Sequence, residues 1–355
     1  MPSLLRHRLA CALLCGLAVA GVLTWAAAPA VVFKMPPLPP PAPAPVIAAD
    51  PVAPSIPIRE PAEADSPALA PIPVTSWLEA QIALARAGFS SGPIDGVGGP
   101  QSAAALRAYQ ESHDLPATGA LDAATRTRLA LTSAPLTQLV LSPEDLTRLQ
   151  PLAPTWLGKS QQTALDYETA LELVAERTHA SPNLIRRLNP DVNWAEPAAG
   201  TPLVVPAIPR LPKTKKAARV MIQLAAHTLE IFDADGSVIA HFPVSIASRV
   251  DKRPVGELHV TVVARNPDYT FNPEVFPESE EARSLGRKLI LPPGPNNPVG
   301  LAWIGLDLPG YGIHGTPKPE QVGRTESHGC FRLANWDALT FLDLVWTGLP
   351  VVVEP

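Results

Sequence analysis

Residues 34–75 are the segment that most restricts how this chain can fold: proline and alanine dominate them, and no apolar periodicity runs through them. Proline holds φ at about −65° and has no amide hydrogen, so such a run enters neither a helix interior nor a central strand. It favours extended polyproline geometry and reads as a semi-rigid spacer. The chain has 44 prolines in 355 residues, well above the usual share of about 5%, and the spacer carries much of the excess. No core can pass through it, so folding must proceed in separate pieces on either side.

The piece before the spacer, residues 1–33, reads as an export signal. Arg6 and Arg8 form a short positive start, and residues 9–33 carry no charge. Two readings are open. One is a cleaved signal peptide, with the small residues Ala26, Ala28 and Ala30 supporting cleavage after Ala-Pro-Ala at 28–30. The other is an uncleaved signal anchor, because the apolar run exceeds the about 7–15 residues of a signal core and reaches the roughly 20 that cross a bilayer. Lipid attachment at Cys15 is disfavoured by Leu14, where a small residue would be wanted. Cys11 and Cys15 both lie in this segment, which leaves Cys330 as the single cysteine of the exported body. Exported proteins usually pair their cysteines, so a lone thiol there is either an intermolecular partner or a reactive group. A net charge of −5 with 17% charged residues provides no basic stripe, which argues against a nucleic-acid partner.

After the spacer, a length beyond about 100–200 residues per domain predicts a multidomain body. In residues 76–132, Leu78, Ile82, Ala85 and Phe89 recur at helical spacing, as do Ala105, Leu106 and Tyr109. Pro93-Ile94-Asp95-Gly96 is a turn, and Asp122 is a good N-cap for a third short helix. Residues 133–159 read as a linker. Residues 160–207 carry the runs Leu171-Leu173-Val174, Leu184-Ile185-Leu188 and Pro202-Leu203-Val204-Val205-Pro206, for which a small α/β module is expected only through the resemblance named below. Beyond the basic stretch 213–216 the period changes to two: Val220, Ile222 and Leu224, then Leu229 and Ile231, then Val238, Phe242 and Val244, with Asp235-Gly236 as a hairpin turn. Residues 218–355 should therefore be mostly antiparallel β, sandwich-like or an open barrel, with residues 334–345 as its one helix.

The chemistry concentrates in Tyr311-Gly312-Ile313-His314-Gly315-Thr316 and Ser327-His328-Gly329-Cys330-Phe331-Arg332. A thiolate is the attacking form of cysteine, and only a few per cent of an ordinary thiol is ionised near neutral pH. A nearby imidazole can accept that proton and later return it to a leaving amine. Gly329 leaves backbone N–H groups free to face a developing oxyanion, each such donor being worth about 2.7–4 kcal/mol in the transition state. Arg332 offers a permanent charge in fork geometry for a carboxylate. Singly, each residue has a plain reading: Cys330 as a small buried hydrophobe, the histidines as satisfied core groups, Arg332 as a solvated charge. Together, beside a cysteine with no disulfide partner, they favour acyl transfer. A zinc site of His314, His328 and Cys330 would leave one position open, but the spacing matches no zinc motif.

On these residues the chain resembles bacterial cell-wall proteins. Residues 218–355 resemble the L,D-transpeptidase catalytic domain through His314-Gly315-Thr316, Gly323-Arg324, Ser327-His328-Gly329-Cys330 and Arg332, with outer matches at Gly294–Gly300 and Pro254-Val255-Gly256. Arg253-Pro254-Val255-Gly256 departs from the family's Thr-Pro-Thr-Gly and loses two hydroxyls. Residues 76–132 resemble a three-helix peptidoglycan-binding domain, and residues 160–207 a LysM-like module whose opening Gly-Asp-Thr turn is replaced by Tyr167-Glu168-Thr169.

The resemblance implies that Cys330 is the nucleophile and His314 the base oriented by the backbone around Gly315. It implies that His328, Gly329 and the Cys330 amide shape an oxyanion site supported by Ser327, that Arg332 fixes the loop or contacts substrate, and that Tyr311 meets substrate. It further implies 3-3 cross-links made through a thioester on tetrapeptide stems with release of D-Ala, no metal or organic cofactor, and carbapenems as covalent inhibitors. The expected partners are peptidoglycan stem peptides and glycan. The expected location is the periplasm or cell envelope, with inner-membrane association if the N-terminal anchor is retained. Two alternatives stand beside it: an L,D-carboxypeptidase or endopeptidase using water, and a non-catalytic peptidoglycan-binding wall protein.

Overall fold

The helical unit begins with a reciprocal cap. Ser76 Oγ accepts from the Glu79 amide at 3.3 Å while the Glu79 carboxylate accepts from the Ser76 amide, which starts α1 (Trp77–Ala87). Gly88, at φ 92°, ends that helix in the left-handed conformation. Pro100 opens α2 (Pro100–Glu111), and Asp122, accepting from the Thr125 amide, caps α3 (Ala123–Arg128). Leu84, Phe89, Leu106 and Tyr109 close these helices into one core. The computed structural model describes residues 70–209, 216–276, 278–325 and 329–355. The expected signal or anchor segment and nearly all of the spacer lie outside them. Among the described residues no helix is long and apolar enough to cross a membrane.

The stretch expected as a linker is structured. It holds β1 (Leu136–Val140), α4 (Pro143–Thr147) and most of α5 (Trp156–Ser160). After α6 (Ala170–Arg177) and α7 (Pro182–Leu188), β2 (Pro202–Pro206) returns antiparallel to β1, with Leu139 opposite Leu203. The α/β unit thus takes its first strand from residues 133–159. A single five-residue strand whose partner lies far along the chain has no local signal strong enough to read. Leu139, Leu173, Ile185 and Val205 form its core, which also takes in Ile82 and Ile94 of the helical unit. A two-bond bridge adds to this: the Ile94 amide donates to the His179 carbonyl at 2.8 Å and the Ser181 amide to the Ile94 carbonyl at 2.9 Å.

The C-terminal part is built on β3 (Arg219–Gln223), β4 (Thr228–Phe232), β5 (Val238–Pro243), β6 (Gly256–Arg265), β7 (Tyr269–Phe271), α8 (Glu280–Leu285), β8 (Leu289–Leu291), β9 (Ala302–Leu306), β10 (Gly312–His314), β11 (Phe331–Arg332), α9 (Asn335–Leu342) and β12 (Pro350–Glu354). Gly236, at φ 82°, makes the expected turn between β4 and β5. The order β11-β10-β9-β6-β12-β3-β4-β5 is one sheet, antiparallel except at β10/β11 and β12/β3. The start of β6 pairs with β12 and its end with β9, with a bulge between Val260 and Val262, so one long strand serves both halves and bends the sheet. The Ser245 amide donates to the Arg332 carbonyl at 2.9 Å and the Arg332 amide donates back at 3.0 Å. That bridge joins β11 to the chain just past β5, the two ends of the sheet order. Val220, Ile231, Phe242, Ile304, Ile313, Phe331 and Phe341 of α9 share its core. Burying an aromatic of this size is worth about 1.5–3 kcal/mol.

Two further packings bear on the site. The excursion from β7 to β8, which includes the unexpected second helix α8, is pinned by Trp156 stacked on Phe271 at 4.4 Å. The helical unit covers the outer edge of β5: the Ser90 amide donates to the His241 carbonyl at 2.8 Å, and the His241 amide to the Gly88 carbonyl at 3.0 Å. An exposed strand edge invites unwanted pairing, and this contact removes it.

Candidate active site

β10 and β11 run parallel with His314 directly across from Arg332 and Ile313 across from Phe331. Alternation along a strand decides which face each takes. Ile313 and Phe331 are in the core, at 0% and 1% exposure, so His314 and Arg332 occupy the opposite face, and Cys330 stands immediately before β11. The Cys330 thiol donates to the Gly310 carbonyl at 3.5 Å, and a backbone hydrogen bond from Gly312 also reaches it. Cys330 is thereby held against the start of β10, with His314 two residues beyond Gly312.

The imidazole is fixed by its own neighbour. Nδ1 of His314 lies 2.6 Å from the Gly315 carbonyl; a carbonyl only accepts, so Nδ1 carries the hydrogen and Nε2 keeps its lone pair. The ring stacks on Trp303 of β9 at 5.7 Å. Burial pushes its pKa down to about 4, with the Arg332 charge adding to the effect and the Gly315 bond opposing it. The group is therefore a neutral base at physiological pH. Burial also pushes the Cys330 thiol up, opposed by the Gly312 hydrogen bond and the Arg332 charge. The resting pair is thiol and imidazole, two neutral groups.

The other expected residues fall into place unevenly. Gly315 supports the histidine through its carbonyl, and a Cβ there would run into the Asn335 side chain. Gly329 is half-exposed, and among the described residues a Cβ there would meet no atom within 4 Å. Tyr311 is half-buried in the tight loop after β9, its carbonyl accepting from the Leu306 amide at 3.1 Å. Arg332 lines a small recess with Ser245, Thr316 and Thr325. Ser327 and His328, and with them the proposed oxyanion support and the zinc alternative, lie outside the described residues.

Three neighbours were not legible in the sequence. Trp303 stacks on His314 from β9. Tyr269 of β7 is close enough to Cys330 for a thiolate there to raise its phenol further, beyond the effect of burial. Asn335, at the start of α9 and fully buried, accepts from the Leu301 amide at 3.1 Å. Only the last carried a local hint, as a polar residue opening an apolar helix.

A family model described as the L,D-transpeptidase catalytic domain matches residues 217–353. One described as "Putative peptidoglycan binding domain" matches residues 75–129. A Bacillus licheniformis protein named "Putative L,D-transpeptidase YkuD" is 26% identical over 185 residues, which are 52% of this chain and 93% of that protein. A Bacillus subtilis protein named "Putative L,D-transpeptidase YqjB" is 33% identical over 124 residues, 34% of this chain and 61% of that protein. Among solved structures, an L,D-transpeptidase from Mycobacterium smegmatis aligns at 19% identity and a TM-score of 0.31, covering 44% of this chain and 65% of that one.

Proposed function

Residues 217–353 belong to the L,D-transpeptidase catalytic-domain family, and from that premise we propose that the chain joins peptidoglycan stems through a thioester on Cys330. Nε2 of His314 takes the thiol proton, and the sulfur attacks the carbonyl between the third residue and the D-Ala of a tetrapeptide stem. The tetrahedral oxyanion is met by the backbone amides of the Gly329–Cys330 turn, with Ser327 and His328 assigned to the same support. As the C–N bond breaks, His314 returns the proton to the leaving D-Ala amine, leaving the thioester. A side-chain amine of the third residue on a neighbouring stem then attacks. Its proton passes through His314 to the sulfur, and a 3-3 cross-link results. Arg332 and Tyr311 are assigned to the stem's carboxylate and backbone.

The observation that carries this reading is the His314–Gly315 hydrogen bond, which fixes the tautomer with the basic nitrogen free. Full-length protein incubated with a disaccharide-tetrapeptide and followed by mass spectrometry tests it. A cross-linked dimer with free D-Ala, lost in Cys330→Ala, supports the reading. Tripeptide alone makes water the acceptor, and no product with wall binding intact makes the chain a non-catalytic binder. The N-terminal helical unit is proposed to hold the enzyme on peptidoglycan glycan, and the α/β unit is the site of any LysM-like contribution. Residues 1–33 are proposed to direct export to the periplasm, with inner-membrane anchoring if uncleaved. Carbapenems, whose strained amide is attacked by the same nucleophile, are proposed to acylate Cys330.

A further inference from the structure

The first three residues of α9 each take a partner from outside the catalytic sheet. Asn335 Nδ2 donates to Glu176 Oε1 of α6 at 2.8 Å. Trp336 stacks on His179 of the α/β unit at 5.4 Å. Ser90 of the helical unit donates to Asp337 at 2.9 Å. Asn335 is the central one. The same amide nitrogen donates to the Pro295 carbonyl at 3.0 Å, and its oxygen accepts from Leu301. That oxygen fills the place where a side chain on either Gly300 or Gly315 would stand, and Gly300 needs its left-handed φ of 61° to pass it. Gly315 is the residue whose carbonyl holds His314. A contiguous path of direct contacts therefore runs from α6 to the imidazole: Glu176, the Asn335 carboxamide, the Gly315 backbone, His314.

We propose that Glu176, contributed by the α/β unit rather than by the catalytic domain, is a positioning residue for His314. Its carboxyl orients the Asn335 carboxamide, and that carboxamide sets the Gly300–Gly315 backbone on which the imidazole is aligned. The α/β unit is on this account part of the catalytic support, whether or not it also binds glycan. The local chemistry agrees: Glu176 is 7% exposed, and a carboxyl group is left in such a place only where it is hydrogen-bonded. A carboxamide that accepts one amide and donates to two oxygens has a single orientation available, so losing one donor contact frees it to turn.

The inference rests on His314 being the base, and the variants separate the two. In the full-length protein, Glu176→Met keeps the volume but removes the acceptor, while Glu176→Gln keeps an oxygen for Asn335. Stem acylation by Glu176→Met is expected to fall by about tenfold or more in kcat, as misalignment of a reacting group does, with KM little changed. Its acid limb in kcat/KM is expected to move up from about pH 4 as water reaches the loosened ring. Glu176→Gln is expected to restore both to within about twofold. Glu176→Ala is the second variant should the Met side chain prevent folding. An unchanged rate and acid limb in Glu176→Met, or equal losses in Met and Gln, overturn the role of Glu176. If His314→Ala acylates at the wild-type rate, the base assignment itself fails, and the positioning role with it.

Discussion

His314 donates its Nδ1 hydrogen to the carbonyl of the adjacent Gly315 at 2.6 Å, so the residue that follows the histidine in sequence also decides which of its nitrogens is basic. Burial holds the neutral imidazole down to about pH 4. A folded pKa below the ordinary 6.5 means that this group favours the native state above 6.5 and disfavours it as pH falls toward 4. The rate follows the same proton. Acylation by a carbapenem is expected to be nearly constant through neutral pH and to lose activity with a midpoint near pH 4. The Cys330 thiol, raised above its ordinary 9.0, puts no second limb in the neutral range. A stopped-flow pH profile checks this, and an acid midpoint at 6.5 would show an ordinary solvated histidine.

Two glycines of the motif should respond oppositely to alanine. Gly315→Ala forces a methyl group into the Asn335 carboxamide, and overpacking of that kind costs about 1–3 kcal/mol. It should lower the melting temperature and the acylation rate together. Gly329→Ala meets no atom of the described residues and should leave stability within about 0.5 kcal/mol while raising KM for the stem, because the space beside it is assigned to the ligand. Thermal melts beside steady-state kinetics on the two variants distinguish them. A destabilised Gly329→Ala would mean that the room there is structural.

Glu176 also predicts a pH dependence of stability. Burial is the main cause pushing its carboxyl up to about 8, with Glu172 and Glu320 adding to the shift while the Asn335 amide and the Tyr167 hydroxyl oppose it. A folded pKa above the unfolded 4.5 stabilises fully below 4.5, and the benefit is lost as pH rises through about 8. The melting temperature of Glu176→Gln relative to wild type is therefore expected to rise between pH 5 and 8. A constant difference across that range would mean that the carboxyl is already ionised in the fold.

Removal of the helical unit should expose the β5 edge. A chain starting at residue 133 loses the two backbone hydrogen bonds between His241 and residues 88–90, each worth about 0.5–1.5 kcal/mol. It should self-associate at concentrations where the full chain is monodisperse, because an open strand edge is a template for pairing. Size-exclusion chromatography with light scattering reads this directly, and a truncated chain as monodisperse as the full one would leave edge protection without support.

Much of the site was legible because its parts lie close in sequence. Cys330 and Arg332 are two residues apart, His314 and Gly315 are adjacent, and a lone thiol among glycine and histidine is a local chemical pattern. The helix caps at Ser76 and Asp122 and the hairpin at Gly236 are local for the same reason. The alternation of Val220 and Ile222, or of Leu229 and Ile231, reports a half-buried strand without reference to its partner. The second helix in the catalytic part, α8, was missed because its six residues, capped by Ser279 at the start and by left-handed Gly286 at the end, carry too little apolar periodicity.

Sequence alone therefore determined the chemical inventory and the type of the periodic elements, since both depend on residues within a turn or two of one another. Tertiary structure alone decided which distant segments meet. It paired β1 with β2 across the whole α/β unit, joined the ends of the curled sheet through Ser245 and Arg332, and set Glu176 of one unit against Asn335 of another. Such contacts reflect the burial of apolar faces and the satisfaction of buried polar groups over the entire fold. No residue in α6 announces by its neighbours that its partner will stand beside the catalytic histidine.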